Sequence, residues 1–396
     1  MRIATVRTRC LRWLRPPTLL RRNLATPTHD LNPAEADTET AGPDPWGPVA
    51  LVLVEISTDD GVTGFGTAGG FTGVSAAIVS QHLAPLVHGA DPFDLERLWS
   101  RMYSATLRFG RGGATMAAIS AVDIACWDIV GKALGQPLYR LLGGQTKDRI
   151  PAYASRLYAL EDLDQLAQEA RGYVRQGFRA LKQRFGYGPA DGPEGMRRNL
   201  ELVRTVREAV GNDITLAADA YMAWDVPYTL AIGPRLAEFD LPWLEEPLPP
   251  HDLGGYVRLR RELPLRLAAG EHLYGRHSFR QWLEAGALDV LQPDANRVGG
   301  ISELRKVCVL AASWDLPVLP HSNEAHNLHV IMSQVNCPMV EYFPDVEPDT
   351  GNELFWKVFR GEPRARDGCV LPSDRPGLGI EPDPDVVAAL EVHPVG

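Results

Sequence analysis

The stretch 265–275, LRLAAGEHLYG, decides how this chain is read. Leu265 to Ala269 have the apolar character of a strand packed inside a protein, yet they run straight into Glu271 and His272. Burying an ionised carboxylate without a partner costs several kcal/mol. Either the strand ends where Glu271 meets water, or a positive charge waits for it there.

The same build recurs along the chain. IPAYAS (150–155), RALKQR (179–184), ITLAADA (214–220), LPWLEEP (241–247), DVLQPDA (289–295), LPVLPHS (316–322) and CPMVEYF (337–343) are all short apolar runs that end on polar groups. The segments between them have helical periodicity. Residues 193–210 put Met196, Leu200, Val203, Val206 and Val210 on one face, and 161–177 do the same with Leu163, Leu166, Ala170 and Val174, with Gly177 placed to stop the helix. Strands alternating with amphipathic helices mean βα units and a parallel sheet. Eight strands at this spacing suggest a closed barrel rather than an open sheet.

The polar strand ends form a series: Lys182 and Arg184, Asp219, Glu245, Glu271, Asp294, His321 and Glu341. From Lys182 they lie 37, 26, 26, 23, 27 and 20 residues apart, one βα unit each time. In β/α barrels the C-terminal strand ends converge on one mouth. A single charge at a strand end is ordinarily just a surface group. A succession of them, three consecutive carboxylates flanked by bases, describes a shared site and answers the question raised by Glu271.

Three carboxylates on adjacent strands repel one another unless a cation stands between them, and hard oxygen ligands on rigid elements suit Mg²⁺. Asp219, Glu245 and Glu271 are the natural set, with Glu246 a competitor because neighbours on a strand point to opposite faces. His272 has no second His or Cys at ligand spacing and reads as a substrate-side or structural histidine. Lys182 and Arg184, two apart, share a face. Asp294 and His321 end neighbouring strands, where a carboxylate would orient an imidazole and raise its pKa for proton transfer. A cation site beside such a base suits proton abstraction next to a carboxylate.

With AAISAVDIACWDIVGKALGQPLYRLLGG (117–144), LKQRFGYG (181–188), ADAYMAW (218–224), WLEEP (243–247), GEH (270–272), PDANRVGG (293–300), PHS (320–322) and VEYFP (340–344), the chain resembles the enolase superfamily, mandelate racemase subgroup. The resemblance covers nearly the whole chain. It implies a modified (β/α)7β-type TIM barrel with an α+β capping domain: residues 1–125 as capping domain, 126–340 as barrel and 341–396 completing the cap. It also implies Asp219, Glu245 and Glu271 as ligands of one Mg²⁺, which selects Glu245 over Glu246. Asp294 and His321 would be an acid/base dyad, Lys182 and Arg184 the pair ending the second strand, and Glu341 a hydrogen-bonding partner of substrate or enolate. RRNLATPTHD (21–30) and AGPDPWGP (41–48) are the expected lid.

Two residues depart from the subgroup pattern. Arg184 replaces the second of two paired lysines, and a guanidinium is a poor base at neutral pH. Tyr221 stands where many relatives have asparagine, so a substrate contact there has changed. FGYGPADGPEGM (185–196), NRVGGI (296–301) and VEYFP resemble sugar-acid dehydratases of the rhamnonate or lyxonate kind, which implies dehydration to a 2-keto-3-deoxy acid, with a racemase or epimerase of a related 2-hydroxy acid as the alternative. A barrel that binds without catalysis would lack a ligand or a base, and none is missing.

Composition agrees with an ordinary globular enzyme: 396 residues, 45% hydrophobic, 23% charged. A net charge of −10 argues against a nucleic-acid partner. No apolar run approaches the roughly 20 residues that cross a bilayer. Cys10, Cys126, Cys308, Cys337 and Cys369 form no CxxC, which fits reduced thiols in a cytoplasmic protein and suggests no zinc site. MRIATVRTRCLRWL (1–14) is arginine-rich but alternates like a strand rather than a targeting peptide. GFGTAGG (64–70) lacks the strand-to-helix context of a dinucleotide site and reads as a turn beside a strand. A homo-oligomer acting on a small sugar acid completes the expectation.

Overall fold

A computed structural model describes residues 1–13, 24–27, 49–69, 72–344 and 353–392. The expected lid segments, apart from Leu24–Pro27, lie outside the described residues. Near the N-terminus, β1 (Ile3–Trp13), β2 (Val49–Thr58) and β3 (Thr63–Gly69) form an antiparallel sheet, joined at its β1 edge by Glu391–Val392. The C-terminal tail thus returns to the cap.

GFGTAGG is not a turn: most of it is β3 itself. A Cβ on Gly64 would lie 2.3 Å from the Ala125 carbonyl oxygen, and one on Gly66 only 1.9 Å from that of Ala121. The glycines let helix Gly113–Ala133 lie directly on the strand. That helix is also, by length and composition, apolar enough to cross a membrane, contrary to the expectation from apolar runs, but it is almost entirely buried inside the protein. It runs unbroken through the expected border at 125/126, and the border at 340/341 falls within a strand.

The barrel strands are β4 (Ile150–Ser155), β5 (Ala180–Arg184), β6 (Thr215–Asp219), β7 (Leu244–Glu245), β8 (Leu267–Ala269), β9 (Val290–Leu291) and β10 (Val340–Tyr342), paired in parallel in the order β10-β4-β5-β6-β7-β8-β9. Helices 163–175, 192–210, 226–237, 253–262, 275–285, 300–312 and 325–333 cover the outside. The seventh run, LPVLPHS, forms no regular strand but an isolated bridge between Val318 and Leu291, with the Leu319 and His321 N–H groups donating to the carbonyls of Leu291 and Pro293. Pro317 and Pro320 bracket Val318 and Leu319 and have no N–H to give to a ladder. The interior is filled by Tyr153, Ala180, Ala217, Trp243, Ala268, Val290 and Leu319, with the Tyr153 and Trp243 rings packed edge to face at 5.6 Å. This layer is the floor beneath the barrel mouth.

Cap and barrel meet through buried polar contacts on one short segment. The Trp99 indole donates to the Gly299 carbonyl at 2.7 Å, Thr67 Oγ1 donates to Asn296 Oδ1 at 2.8 Å, and the Gly299 N–H donates to Ser120 Oγ at 2.9 Å. Trp127 Nε1 donates to Ser302 Oγ at 2.9 Å, and that hydroxyl donates to Asp123 Oδ1 at 2.6 Å.

His329, fully buried on helix 325–333, accepts from the Tyr139 N–H at Nδ1 (3.3 Å) and donates from Nε2 to the Leu378 carbonyl (3.0 Å). The ring is thereby committed to its neutral form, and burial pushes its pKa down to about 4. An unfolded chain takes up the proton first, so this stabilisation is lost as pH falls from about 6.5 toward 4. Between pH 6.5 and 5 the wild type should lose on the order of 2 kcal/mol through this ring. Thermal melts should therefore show a smaller acid-induced drop in Tm for His329→Gln; equal drops would place the acid sensitivity elsewhere.

Candidate active site

The strand-end groups do converge. Lys182, at the end of β5, is completely buried; its ammonium contacts Glu245 Oε1, Glu341 Oε1 (2.8 Å) and Asp219 Oδ2 (3.2 Å). Burial alone would lower its pKa, but Glu245, Glu341 and Asp219 more than reverse this and hold it well above the ordinary lysine range. Arg184, two residues on and on the same face, donates to Asp219 Oδ2 at 2.8 Å and to Ser155 Oγ at 3.1 Å, with Glu341 Oε1 at 3.7 Å. Ser155, ending β4, donates in turn to Glu341 Oε1 at 2.6 Å.

Each carboxylate has its own support. Asp219 Oδ1 accepts the Tyr221 N–H at 2.9 Å, a contact made possible by left-handed backbone at Tyr221 (φ 45°) and Met222 (φ 63°). Glu245 Oε2 accepts from Gln292 Nε2 at 2.6 Å and from Trp243 Nε1 at 3.2 Å, so the barrel floor holds it directly. Burial pushes the Glu245 carboxyl up, and Asp219 and Glu341 add to that against Lys182. For Glu341 burial also opposes ionisation, but Lys182, His321 and Arg184 win and hold it below the usual carboxylate range. Its Oε2 accepts the Ser322 N–H at 2.9 Å.

Glu246 does not face away from the site, as strand alternation alone suggests. β7 ends at Glu245, and Glu246 adopts φ 37°, which turns its side chain back toward the mouth. There both its oxygens lie 3.0 Å from His272 Nδ1. The Tyr221 ring meets His272 edge-on at 5.9 Å. Glu246, Glu271 and His272 bring ligating atoms within 4.8 Å of one another. Glu246 and His272 thus flank Glu271 in the mouth.

His321 lies near the end of the seventh run. Its Nδ1 lies 2.8 Å from Asp294 Oδ2 and its Nε2 3.3 Å from Glu271 Oε1. Burial would lower its pKa, but Glu271, Glu341 and the Asp294 hydrogen bond raise it to about 10. Asp294 caps the helical turn Ala295–Val298, its Oδ1 accepting the Asn296 N–H at 2.7 Å. Asn327 Nδ2 donates to the His321 carbonyl at 2.8 Å and fixes that loop.

Sequence reading passed over Ser155, Gln292 and Arg297. The first two end β4 or follow β9 directly, so the strand-end rule could have found them. Arg297 lies three residues after Asp294 on a helical turn, where i,i+3 spacing brings the two together at 3.6 Å.

Residues 44–143 match the mandelate racemase / muconate lactonizing enzyme N-terminal domain, and residues 165–386 match the enolase C-terminal domain-like family. An L-rhamnonate dehydratase of Saccharopolyspora erythraea is 38% identical over 85% of this chain and 84% of its own length. The solved rhamnonate dehydratase of Gibberella zeae, complexed with Mg, superposes with a TM-score of 0.86 at 31% identity over 99% of this chain and 96% of that one. A racemase from Streptomyces coelicolor with bound magnesium gives 0.83 at 30% identity, over 98% and 100% of the two chains. This chain belongs to the mandelate racemase / muconate lactonizing enzyme family of the enolase superfamily.

Proposed function

We propose that this protein is a Mg²⁺-dependent acid-sugar dehydratase that converts an aldonate to a 2-keto-3-deoxy acid. The observation that carries the reading is His321, anchored through Nδ1 on Asp294 while Nε2 stands 3.3 Å from the Glu271 carboxylate. A proton-transfer group beside a cluster of carboxylates suits abstraction of the proton next to a cation-bound substrate carboxylate. The names of the rhamnonate dehydratase relatives support the substrate class.

The mouth fits a hard divalent cation. Asp219, Glu245, Glu246, Glu271, Asp294 and Glu341 face only Lys182, Arg184 and Arg297 as permanent cations among the described residues. Asp219, Glu245 and Glu271 are the proposed Mg²⁺ ligands. When bound, the ion would supply positive charge against the carboxylate that gains electron density as the adjacent C–H bond breaks.

In this reading Lys182 and Arg184 orient the substrate carboxylate and share that charge. His321 takes the C2 proton at Nε2, while Asp294 holds the ring by Nδ1 and stabilises the imidazolium. The imidazolium then has a proton to give to the C3 hydroxyl, which leaves as water, and the resulting enol tautomerises to the 2-keto acid. Glu341, Tyr221 and His272 are proposed substrate contacts. A cytoplasmic homo-oligomer completes the proposal. Racemisation needs a second base opposite His321, and Arg184, held as a cation by Asp219, does not offer one.

The direct assay is a panel of aldonates and aldarates with Mg²⁺, reading keto-acid formation with semicarbazide. Asp219→Asn, Glu245→Gln and Glu271→Gln should each lose activity and divalent binding with the fold kept. An inactive Glu246→Gln beside a normal Glu245→Gln would reverse the ligand assignment.

His321→Asn should cost roughly 10²–10⁴-fold or more in turnover. Asp294→Asn should cost a similar amount, because it acts through the same imidazole, and the double variant should be little worse than either. Deuterium incorporation at C2 reads the base directly. Parent-rate exchange by His321→Asn would move the base elsewhere.

Arg184→Lys should slow turnover without creating a new pH optimum. Rapid C2 exchange of both epimers in D₂O would instead indicate bases on both faces and favour a racemase.

A further inference from the structure

Arg297 belongs to no part of the mechanism above, yet it touches both halves of it. Its Nη1 donates to Glu271 Oε1 at 2.8 Å, and its Nε lies 3.6 Å from Asp294 Oδ2. Those are the same two oxygens that flank His321: Nε2 lies 3.3 Å from Glu271 Oε1, and Nδ1 lies 2.8 Å from Asp294 Oδ2. The four groups close a ring in which cationic and anionic partners alternate: guanidinium, Glu271, imidazole, Asp294.

The backbone that presents Arg297 is unusually well held. It rides on the single turn Ala295–Val298, which Gly299 and Gly300 end in left-handed conformations at φ 119° and 87°. On Gly300 a Cβ would lie 2.3 Å from Asp123 Oδ2, so the turn is pressed directly against the cap helix. Trp99, Thr67 and Ser120 of the cap also bond to this segment, at Gly299, Asn296 and Gly299 respectively. A side chain needed only for solubility would not require such an anchorage.

We propose that Arg297 is a positioning residue for His321, fixing Glu271 and Asp294 on either side of the imidazole so that Nε2 keeps the place from which it takes a proton from the substrate. This rests on the reading of His321 as the base. With no guanidinium there, Glu271 Oε1 would have His321 Nε2 as its nearest cationic partner. The two, already 3.3 Å apart, would then draw closer and pull the ring from the position the reaction needs. Arg297 takes that oxygen by a charge-assisted hydrogen bond, while its Nε braces the carboxylate that fixes the other end of the ring. Lysine has the charge, but its donors leave a single nitrogen, whereas the guanidinium reaches Glu271 from Nη1 and Asp294 from Nε, two separate atoms of a rigid plane.

Arg297→Met and Arg297→Lys test this, with kcat and KM for dehydration, C2 deuterium exchange, Mn²⁺ affinity by titration, and Tm. The expected result for Arg297→Met is a loss in kcat and in exchange of about 10²-fold, the size of effect that misplacing a catalytic group by an ångström produces. KM and the Mn²⁺ Kd should stay within about threefold. Arg297→Lys should recover part of the loss. If Arg297→Met turns over at the parent rate, the proposal fails. It also fails if the Mn²⁺ Kd weakens in step with activity, because Arg297 would then act by building the cation site. Should Arg297→Met not fold, Arg297→Lys decides: a drop in kcat at unchanged KM and Mn²⁺ affinity supports the proposal, and parent kinetics overturn it. A parent enzyme that exchanges the C2 proton but releases no keto acid would sink the dehydratase reading alone, and the exchange rates of the variants would still decide the role of Arg297.

Discussion

An ammonium group with no access to water sits at the centre of this barrel, and Asp219, Glu245 and Glu341 are drawn around it. Burying Lys182 unpaired would cost far more than any one contact returns, and the same holds for each carboxylate alone. The cost is met only when all are present together. This requires that strands β5, β6, β7 and β10 end at a common height, so the register of the sheet and the charge cluster depend on each other. The cluster also explains why Lys182 makes a poor candidate for a base here: three carboxylates hold its proton.

The opposite side of the mouth is organised differently. Its charges, Glu271, Asp294, Arg297 and His321, are supported less by the barrel floor than by the cap. Trp99, Thr67 and Ser120 reach across to the segment carrying Asn296 and Gly299. The two halves of the site thus answer to different parts of the chain. The Lys182 side is set by strand register, whereas the His321 side is set by how the cap rests on the barrel. Since His321, the proposed acid/base group, lies on the second side, substitutions in helix Gly113–Ala133 or near Trp99 have a physical route to it without touching the mouth.

Much of this was legible in the sequence because two rules coincide. Apolar runs at one-unit spacing define the barrel strands, and a barrel has only one end at which their polar termini can gather. Lys182, Arg184, Asp219, Glu245, Glu271, Asp294, His321 and Glu341 all follow from that. Local rules failed where backbone conformation or distant packing took over. Strand alternation sends Glu246 outward, but its positive φ turns it to His272. The glycines of β3 read as a turn because nothing in the sequence reveals that helix Gly113–Ala133 lies within contact of them. Pro317 and Pro320 left LPVLPHS bonded to the β9 segment through the Leu319 and His321 N–H groups but took two donors from a regular strand. Arg297 escaped notice because it ends no strand.

The asymmetry of the mouth bears on the direction of the chemistry. A histidine whose pKa is raised by Glu271, Glu341 and Asp294 holds protons readily, which in a protein without bound cation would make it a weak acceptor at neutral pH. A divalent cation on Glu271 would withdraw part of that negative field and return the imidazole toward neutrality, so cation binding and base strength are linked through one carboxylate. On the other side of the mouth, Arg184 has no such adjustable state: a guanidinium beside Asp219 stays charged throughout. A site with one tunable face and one fixed cationic face can remove a proton and expel a leaving group on the same side far more readily than it can return a proton to the opposite side. Elimination of water is the reaction that asymmetry favours.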